Sequence, residues 1–599
     1  METEEQDSDE SFADAEVGST GSLDVINVDI DQDDNRATGH IGKASSVAWA
    51  KRTAEECSQT SHQETTLGRH DTGFTLASYH TEDADVEYVD TSNIDPYEWP
   101  ETKDAERLIQ SYFDHVHNTL PILDKAVFMS KYHQFTKGSD NLGIEDSIWL
   151  AMANTVFAIS SVYFDLTKDP DRGSHQDHLI YCARAKTLFL DQGLLYQDAR
   201  ISTTSALGLL CLYFITTCRL NRAWTFCGLA IRYGLTLGLH VRSEAQDLSD
   251  VEKEHRVRLW WSLYSLECSL NELTGRPSCI SDRDISTPLP LNIDEDDFQP
   301  GQSLYEKPKQ GQQSGSSSRR TSKSPKGKST HLLGLQYANL PARPSATYQM
   351  PTGVSQPLAY TFPIFPLPLT PSTYFIYRIQ LGILSHEIVT QLYCAATIKE
   401  RWTDVQETIR RIDRRLLTWR DKLTTDFDIT FEDTWTAPDW DDPSILSRMG
   451  LAMQFFSSRM ILFRPCLCRF EGRMKNQSEN SIDFNQEAVE TCIRSARKMI
   501  SLLSWSASSP QKLYAITPWW NTLHYICEAL SVLMLEMAFK VTHVPNEAAY
   551  ILDDAKKGIN WLAMMAEQSV SARKAWEIFD SLIRLVAPMI RWSVFDMPT

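Results

Sequence analysis

The sequence predicts an all-α protein built around one large helical region. Across most of the chain after residue 100, apolar residues recur every three or four positions, which is the spacing of one buried helix face. No run of strands with alternating polarity is found. The 599 residues could form two or more domains, or one large helical domain with disordered additions. With 42% hydrophobic residues and sixteen tryptophans, the chain can bury a sizeable core.

Two segments depart from the helical pattern. Residues 1–35 hold thirteen Asp or Glu and no Lys or Arg, so we expect a disordered acidic N-terminal and linker region over 1–95. Its mixture of acidic and apolar residues also suits an activation segment, although a solvated tail is the simpler interpretation. Residues 300–372 are rich in Ser, Lys and Pro and predict a flexible insertion. This insertion separates two helical halves, 100–299 and 373–599.

The helix with the clearest limits is predicted to begin after Ser249 and to end before Gly275. Ser249 and Glu252 have the spacing of a capping box, in which each side chain bonds the other residue's backbone N–H. Gly275 suits a left-handed cap, and Pro277 prevents continuation. Arg276 is expected either to cap the last carbonyls or to pair with an aspartate of the returning chain. One stripe of leucines lies between these limits: Leu259, Leu263, Leu266, Leu270 and Leu273.

Other helices are predicted from the same periodicity. The stretch 107–128 begins as an amphipathic helix that Pro121 interrupts. The stripe on 400–424 favours packing inside a bundle over a coiled coil, because it extends for only two or three heptads. The remaining predicted helices lie near 145–163, 177–192, 202–219, 222–240, 374–396, 444–463, 485–504, 512–541, 546–567 and 571–594.

Composition excludes several classes of protein. The formal net charge of −21 argues against DNA binding by this chain alone, because phosphate binding needs a concentrated basic surface. The twelve cysteines are scattered without a C-x-x-C pair, so a reducing compartment is expected. The N-terminus lacks the basic and apolar regions of a secretory signal. Apolar runs such as 206–215 are too short to span a bilayer, and no membrane partner is expected.

No catalytic or metal-binding motif is complete. The HEIVT segment at 386–390 has Thr390 where a zinc-protease helix has its second histidine. His115 and His117 fall on different helix faces, which is poor ligand geometry. The acidic run DEDD at 294–297 follows two prolines and favours a solvated loop over a magnesium site. We therefore expect no enzyme activity, no cofactor and no metal ligand in this chain.

A basic run inside the insertion is a candidate nuclear-import signal. Residues 307–328 carry seven positive charges and no negative charge. A solubilising linker explains them equally well, and weak DNA contact is a third alternative. The candidate residues are Arg319, Arg320, Lys323, Lys326 and Lys328.

The helical patterns resemble a known family. AWTFCGLAIRYGLTLGLH, followed by RVRLWWSLYSLECSLNELTGRPSCISDRDISTPLP, is similar to the regulatory domain of fungal zinc-binuclear-cluster transcription factors, the fungal-specific transcription factor domain or middle homology region. YFDHVHNTLPILDKAVF, FFSSRMILFRPCL and PWWNTLHYICEALSVLMLEMAF extend the resemblance. The most specific part is a signature that the resemblance implies is structural: Trp260, Trp261, Gly275, Arg276, Pro277, Asp282, Asp284, Pro288 and Pro290.

The chain departs from the family in one respect. The family reads DNA with six cysteines that hold two zinc ions, and no such spacing exists in these 599 residues. DNRATGHIGKASSVAWAKR at 34–52 resembles the segment that usually follows this module. The module is therefore expected either before Met1, from an upstream exon, or to have been lost. Zinc is implied only if that module exists, and no base-contacting residue can be assigned.

Two functions follow as alternatives. In the first, the chain is the regulatory part of a fungal transcription regulator in the nucleus, controlling transcription by RNA polymerase II of a metabolic or secondary-metabolite gene set. Transcription machinery or co-regulators would be its partners, DNA would be reached through the missing module or a partner, and a homodimer and a small-molecule effector remain open. In the second, it is an α-helical co-regulator or small-molecule-binding scaffold without a DNA-binding module.

Overall fold

The computed structural model describes residues 40–64, 78–81, 85–86, 94–137, 144–298, 304, 367, 370–424, 427, 444–467 and 478–592. The acidic segment 1–35 and the candidate import signal at 319–328 lie outside the described residues. Within the described ranges the prediction of an all-α fold is confirmed, with sixteen α-helices and no strand.

The helices are numbered in chain order. In the first part of the chain they are α1 (Ser46–Glu64), α2 (Thr102–Tyr112), α3 (Lys125–Thr136), α4 (Ile144–Thr167), α5 (Asp177–Phe189), α6 (Ile201–Thr216), α7 (Leu220–Thr236) and α8 (Asp250–Thr274). After the insertion they are α9 (Pro371–Leu392), α10 (Trp402–Arg420), α11 (Ile445–Leu467), α12 (Glu479–Ser506), α13 (Pro510–Ala515), α14 (Trp519–Ala538), α15 (Ala548–Met565) and α16 (Val570–Val586).

Neighbouring helices pack side by side around one continuous apolar core. α4 lies against α5 and α6, α6 against α7, and α7 against α8. α8 then packs on α9, which leads through α11 to α12 and α14. The core includes Leu263 of α8 and Leu384 of α9, each 0% exposed, so the sequence regions on both sides of the insertion share it. Burial of such a continuous core is the main stabilising contribution to a helical body of this kind.

The predicted limits of α8 are confirmed. Ser249 N–H donates to Glu252 Oε2 at 2.8 Å, and Glu252 N–H donates to Ser249 Oγ at 3.2 Å, which completes the capping box. Gly275 ends the helix with φ of 68°, and its N–H donates to Asn271 O at 2.8 Å. The leucine stripe between these caps is buried throughout. Local sequence therefore determines this helix.

The expectation of a disordered linker is wrong for residues 40–57. Residues 46–64 form α1, which packs against α14 and α16. Trp49 of α1 is 0% exposed, and its indole N–H donates to Lys43 O at 2.7 Å. Gly42 N–H also donates to Thr274 O at 2.8 Å, at the end of α8. The tryptophan supplies enough buried apolar area to order a segment whose composition is otherwise that of a linker.

The single helix predicted over 512–541 is two helices. α13 ends at Ala515 and α14 begins at Trp519, with Pro518 as the residue before α14. Proline has no N–H to donate to the preceding turn, and it restricts the residue before it to extended conformations. The break separates the two helices, and α14 packs against α1, α11, α12 and α15.

Among the residues that the structure describes, one helix, α4, is long and apolar enough to cross a membrane by length and composition. The relevant window has a mean hydropathy of 1.4, but 94% of it is buried inside the structure. α4 packs against α2, α5 and α6. Its apolar character is therefore explained by its position in the core.

Candidate functional site

The two tryptophans of the signature hold the returning loop onto α8. Trp260 and Trp261 are both 0% exposed. The indole N–H of Trp261 donates to Pro288 O at 2.7 Å, which fixes the Pro-Leu-Pro segment against the helix. Trp260 lies beside His240, with ring centroids 5.8 Å apart. These contacts support the interpretation of the pair as structural.

Arg276 contacts the segment before α1. Its Nε donates to His40 O at 2.8 Å, and its Nη2 donates to the side chain of Asn221. The guanidinium also lies 5.2 Å from the ring centroid of Trp224, within the range of a cation–π contact. Of the signature aspartates, Asp282 turns towards α9 and Asp284 is exposed. The arginine therefore joins α7, the end of α8 and the chain before α1.

Asp282, which is partly exposed, belongs to a triangle of hydrogen bonds with the buried Tyr264 of α8 and the buried His386 of α9. Tyr264 Oη donates to Asp282 Oδ1 at 3.0 Å. His386 Nδ1 lies 3.1 Å and 3.2 Å from the two Asp282 oxygens and 3.0 Å from Tyr264 Oη. The histidine of the HEIVT segment is thus held by a carboxylate and a phenol. The triangle links the signature loop directly to α9.

One face of α9 leaves open space and unused hydrogen-bonding groups. Arg378, Gly382 and His386 are spaced four residues apart and share that face. Arg378 is 3% exposed, and its Nε and Nη1 have no hydrogen-bond partner among the described residues. His386 Nε2 is also buried without a described partner. Between them, a Cβ built on the buried Gly382 would find no atom within 4 Å.

Glu272 of α8 faces the same helix. Ser385 Oγ donates to Glu272 Oε1, and both residues are buried. Burial raises the pKa of Glu272 to about 7, against the lowering effects of the Ser385 hydrogen bond and the positive charge of Arg378, while the charge of Glu528 raises it further. Near neutral pH, a large fraction of this carboxyl is protonated. The neighbouring guanidinium of Arg378 then lacks a fully ionised partner.

Replacing Glu272 by Gln should make stability less dependent on pH. The folded-state pKa of about 7 exceeds the reference value of 4.5. Ionisation of this carboxyl therefore lowers the free energy of unfolding of the protein as pH rises from about 4.5 through 7. Glutamine does not ionise, and we expect the variant to be more stable than wild type by up to about 3 kcal/mol at pH 8 but by less than about 1 kcal/mol at pH 5. Thermal unfolding at both pH values measures this difference. The exposed Glu106, changed to Gln, is the control, and a gain for Glu272→Gln that is equal at both pH values would contradict the assignment.

A separate depression has a volume of about 590 Å³. It lies between α12 and the turn before α15, and its charged lining includes Arg494, Arg497 and Glu547. Arg497 is already paired with Glu547 and Asp554. This pairing balances part of the positive charge that lines the depression.

The α8–α9 centre, which consists of Glu272, Arg378, Gly382 and His386, presents polar atoms without described partners beside open space. Arg378 offers donors for an anion, and His386 Nε2 offers one further polar contact. Sequence reasoning missed Arg378 and considered His386 only as part of an incomplete zinc motif, because both residues lie more than 100 positions from Glu272 along the chain. The four-residue spacing of Arg378, Gly382 and His386 was a signal, but only the fold identifies the helix that this face meets.

The sequence profile described as "Fungal specific transcription factor domain" matches residues 109–421, which is just over half of the chain. The chain belongs to this family. The match begins in α2 and ends just after α10, and it includes the signature, the hydrogen-bond triangle and the open face of α9. The chain is accordingly a fungal transcription regulator and not an enzyme, and the resemblance found in the sequence is confirmed.

Comparison with individual proteins supports the same family. The transcription regulator galc of Aspergillus niger is 28% identical over 642 aligned positions, which cover 99% of this chain and 73% of that protein. Protein STB5 of Saccharomyces cerevisiae is 29% identical, over 38% of this chain and 29% of its own length. The lactose regulatory protein LAC9 of Kluyveromyces lactis is 29% identical, over 31% of this chain and 20% of its own length. The K. lactis CBF3 core aligns over 90% of this chain with a TM-score of 0.41 and 9% identity, too low to carry an argument.

Proposed function

We propose that this transcription regulator acts in the nucleus and is controlled by a small anionic effector bound between α8 and α9. The observation that carries the proposal is Arg378, a guanidinium that is 3% exposed and whose Nε and Nη1 lack described partners. Burying a charge costs several kcal/mol unless an ionised partner balances it, and the nearby Glu272 is only partly ionised near neutral pH, so a carboxylate or phosphate ligand would offset that cost. The space at Gly382 offers the ligand room beside the arginine.

The position of this centre suits a regulatory site. His386 is one helical turn from Gly382 and hydrogen-bonds Asp282 of the signature loop. The same loop follows Arg276, which contacts His40 in the segment before α1. A ligand that changes the packing of α8 against α9 would therefore also change the contacts of the segment before α1. This segment resembles the family's connection to a DNA-binding module.

DNA contact is proposed to come through a zinc-cluster module outside these 599 residues or through a partner protein. The net charge of −21 disfavours direct binding, because DNA and the protein repel each other at long range. Co-regulators or the transcription machinery are the further partners expected of a regulator of this family.

A tethered reporter tests effector control. The full chain, fused to a heterologous DNA-binding domain, is expressed in a fungal host on media that each contain one added small carboxylic or phosphorylated metabolite. We expect at least one medium to change reporter output for wild type. Arg378→Met should reduce that change by about tenfold, since coupling free energies between sites are typically 1–3 kcal/mol.

Two further variants complete the reporter experiment. Gly382→Leu fills the open space with a side chain and should also abolish the response. Arg414→Met removes an arginine from the exposed surface of α10 and should leave the response unchanged. A wild-type fusion that responds to no medium, or Arg378→Met and Gly382→Leu fusions that respond like wild type, would contradict effector control at this site.

Neutralising the basic run is expected to reduce nuclear accumulation. The change replaces Arg319, Arg320, Lys323, Lys326 and Lys328 by Gln, which removes the charge that an acidic import receptor would bind. The nuclear-to-cytoplasmic ratio of a fluorescently tagged full chain should fall at least severalfold. Five Lys or Arg residues changed to Gln on the exposed surface of the helical body provide the control. An unchanged ratio in cells that lack other copies of the protein would remove the assignment.

A further inference from the structure

Three distant parts of the chain bring metal-ligating side chains together beside α8. Asp124 is the N-cap residue of α3, His255 lies in the second turn of α8, and Glu295 lies in the short 3-10 turn Glu295–Asp297. One ligand atom from each of the three lies within 4.8 Å of the other two. Each residue is partly exposed, so ions from solvent can reach the group.

One ligand atom from each of the three side chains is near enough for a shared ion, to which His255 would give only one of its two nitrogens. His255 Nε2 is 3.2 Å from Asp124 Oδ2, and His255 Nδ1 is 3.6 Å from Glu295 Oε1. Two ligand atoms that each lie about 2.1 Å from a tetrahedral Zn²⁺ are separated by about 3.4 Å. A fourth residue, His117, places Nε2 at 2.6 Å from Glu295 Oε2. The group thus combines two imidazoles with two carboxylates.

Hydrogen bonds within the protein hold these side chains in place, but they do not supply a hydrogen-bond donor for both carboxylates that face His255. Asp124 Oδ1 accepts the Val127 N–H at 2.9 Å, which leaves Oδ2 facing His255. Glu295 Oε1 accepts the Lys125 N–H at 3.2 Å. A neutral imidazole carries one N–H, so His255 can donate to only one of the two carboxylates that its nitrogens face. A cation between the imidazole and the second carboxylate removes this conflict.

Space next to Glu295 and the nearby charges both bear on ion binding. A cavity of about 30 Å³ borders Glu295, His117 and Arg258, whereas Asp124 and His255 are not among its lining residues. This volume accommodates about one water molecule or ion. Arg258 is paired with Glu254 at 3.1 Å, so its charge is balanced. Two carboxylates, Asp124 and Glu295, are then available to balance a divalent cation.

We propose that Asp124, His255 and Glu295 bind a first-row divalent cation, with Zn²⁺ as the best match, and that His117 is the fourth ligand or orients Glu295. Mixed imidazole and carboxylate donors suit zinc and its neighbours and do not suit Mg²⁺, which prefers six oxygen ligands. The ion would join the start of α3, the start of α8 and the turn that precedes the insertion. Its role would therefore be structural, because it would stabilise the packing of these three segments against one another.

The proposal revises two expectations from the sequence. The DEDD run was expected to be a solvated loop, but Glu295 hydrogen-bonds His117, and Asp296 pairs with Lys125 at 2.8 Å. His115 and His117 were excluded as a pair of ligands, and only His117 faces this group. The sequence could not reveal the arrangement, because Asp124, His255 and Glu295 are separated from one another by 40 or more positions along the chain.

Zinc binding by the purified full chain tests the proposal. After addition of Zn²⁺ and gel filtration, elemental analysis should find about one equivalent more in wild type than in His255→Gln. Competition with a chromogenic chelator should show that His255→Gln weakens binding by about 100-fold, the upper range found when a metal site loses a supporting group. Excess Mg²⁺ should not displace the zinc.

Two more variants separate ligand loss from misfolding. Asp124→Asn keeps a side chain that caps α3 as well as Asp does, and it should still weaken zinc binding at least tenfold. His133→Gln, on the exposed face of α3, should bind as wild type does. No zinc uptake by wild type, or equal affinity in wild type, His255→Gln and Asp124→Asn, would overturn the proposal.

Discussion

Gly275→Val should destabilise the helical body by at least about 3 kcal/mol. Gly275 adopts a φ of 68°, and a β-branched residue is strongly disfavoured in that left-handed region. In addition, a Cβ at this position would lie 2.3 Å from Gly42 O and 2.4 Å from Gly42 C. Both colliding atoms are backbone, so the clash is relieved only by moving the segment before α1 away from α8. Chemical denaturation with detection by tryptophan fluorescence measures the loss.

Gly238 provides the matched control for this substitution. It also has a positive φ, of 69°, at the end of α7, but a Cβ there would meet only Val241 Cγ2 at 3.6 Å, an ordinary contact. Gly238→Val should therefore cost only the strain of the left-handed backbone, about 1–2 kcal/mol. If the two variants lost equal stability, the close approach of Gly42 to Gly275 would be refuted.

Arg464→Met should destabilise the protein by about 3–5 kcal/mol. Arg464 is 0% exposed, and its Nη2 lies 2.8 Å from Glu528 Oε1. Its Nη1 donates to Ala44 O at 3.1 Å, and its guanidinium lies 5.0 Å from the Trp49 ring centroid. The arginine therefore joins α11, α14 and the segment containing α1. Its loss leaves a buried carboxyl without its partner, which is costly. Equilibrium unfolding at pH 8, where Glu528 is more fully ionised, should show the effect at its largest.

A double variant isolates the ion pair from the loss of packing. Burial raises the pKa of Glu528 to about 7, although Arg464 and Ser457 lower it. Arg464→Met with Glu528→Gln removes both charges, and it should recover at least about 1 kcal/mol relative to Arg464→Met alone. A loss below about 1 kcal/mol for Arg464→Met would show that this contact does not hold α1 on the body.

Elements with strong local signals could be predicted from the sequence. The capping box at Ser249, the leucine stripe and the glycine stop determine α8 through interactions within a few residues. The stripe on α10 likewise predicts its buried face, and Ile409 and Ile412 are each 0% exposed. Family membership also follows from local patterns, because the Trp-Trp to Pro-Leu-Pro segment is contiguous.

Features that depend on distant contacts could not be predicted. α1 is ordered because Trp49 and Arg464 meet across more than 400 positions of the chain. Arg378 looks like an ordinary charged residue within a helix, and only the packing of α8 and α9 shows that it is buried. Contacts between such distant residues depend on the tertiary packing of the helices, and the composition of a single segment does not reveal them.

Ligand binding by the purified full chain tests the central claim that a small anion controls this regulator through Arg378. Thermal shift against a panel of small monocarboxylates, dicarboxylates and phosphorylated metabolites, followed by calorimetric titration, compares wild type with Arg378→Met. We predict that at least one anion stabilises wild type saturably and binds Arg378→Met about 100-fold more weakly, as expected for loss of a charge-assisted hydrogen bond. Equal affinity for wild type and Arg378→Met, or no anion that stabilises wild type, would contradict the claim.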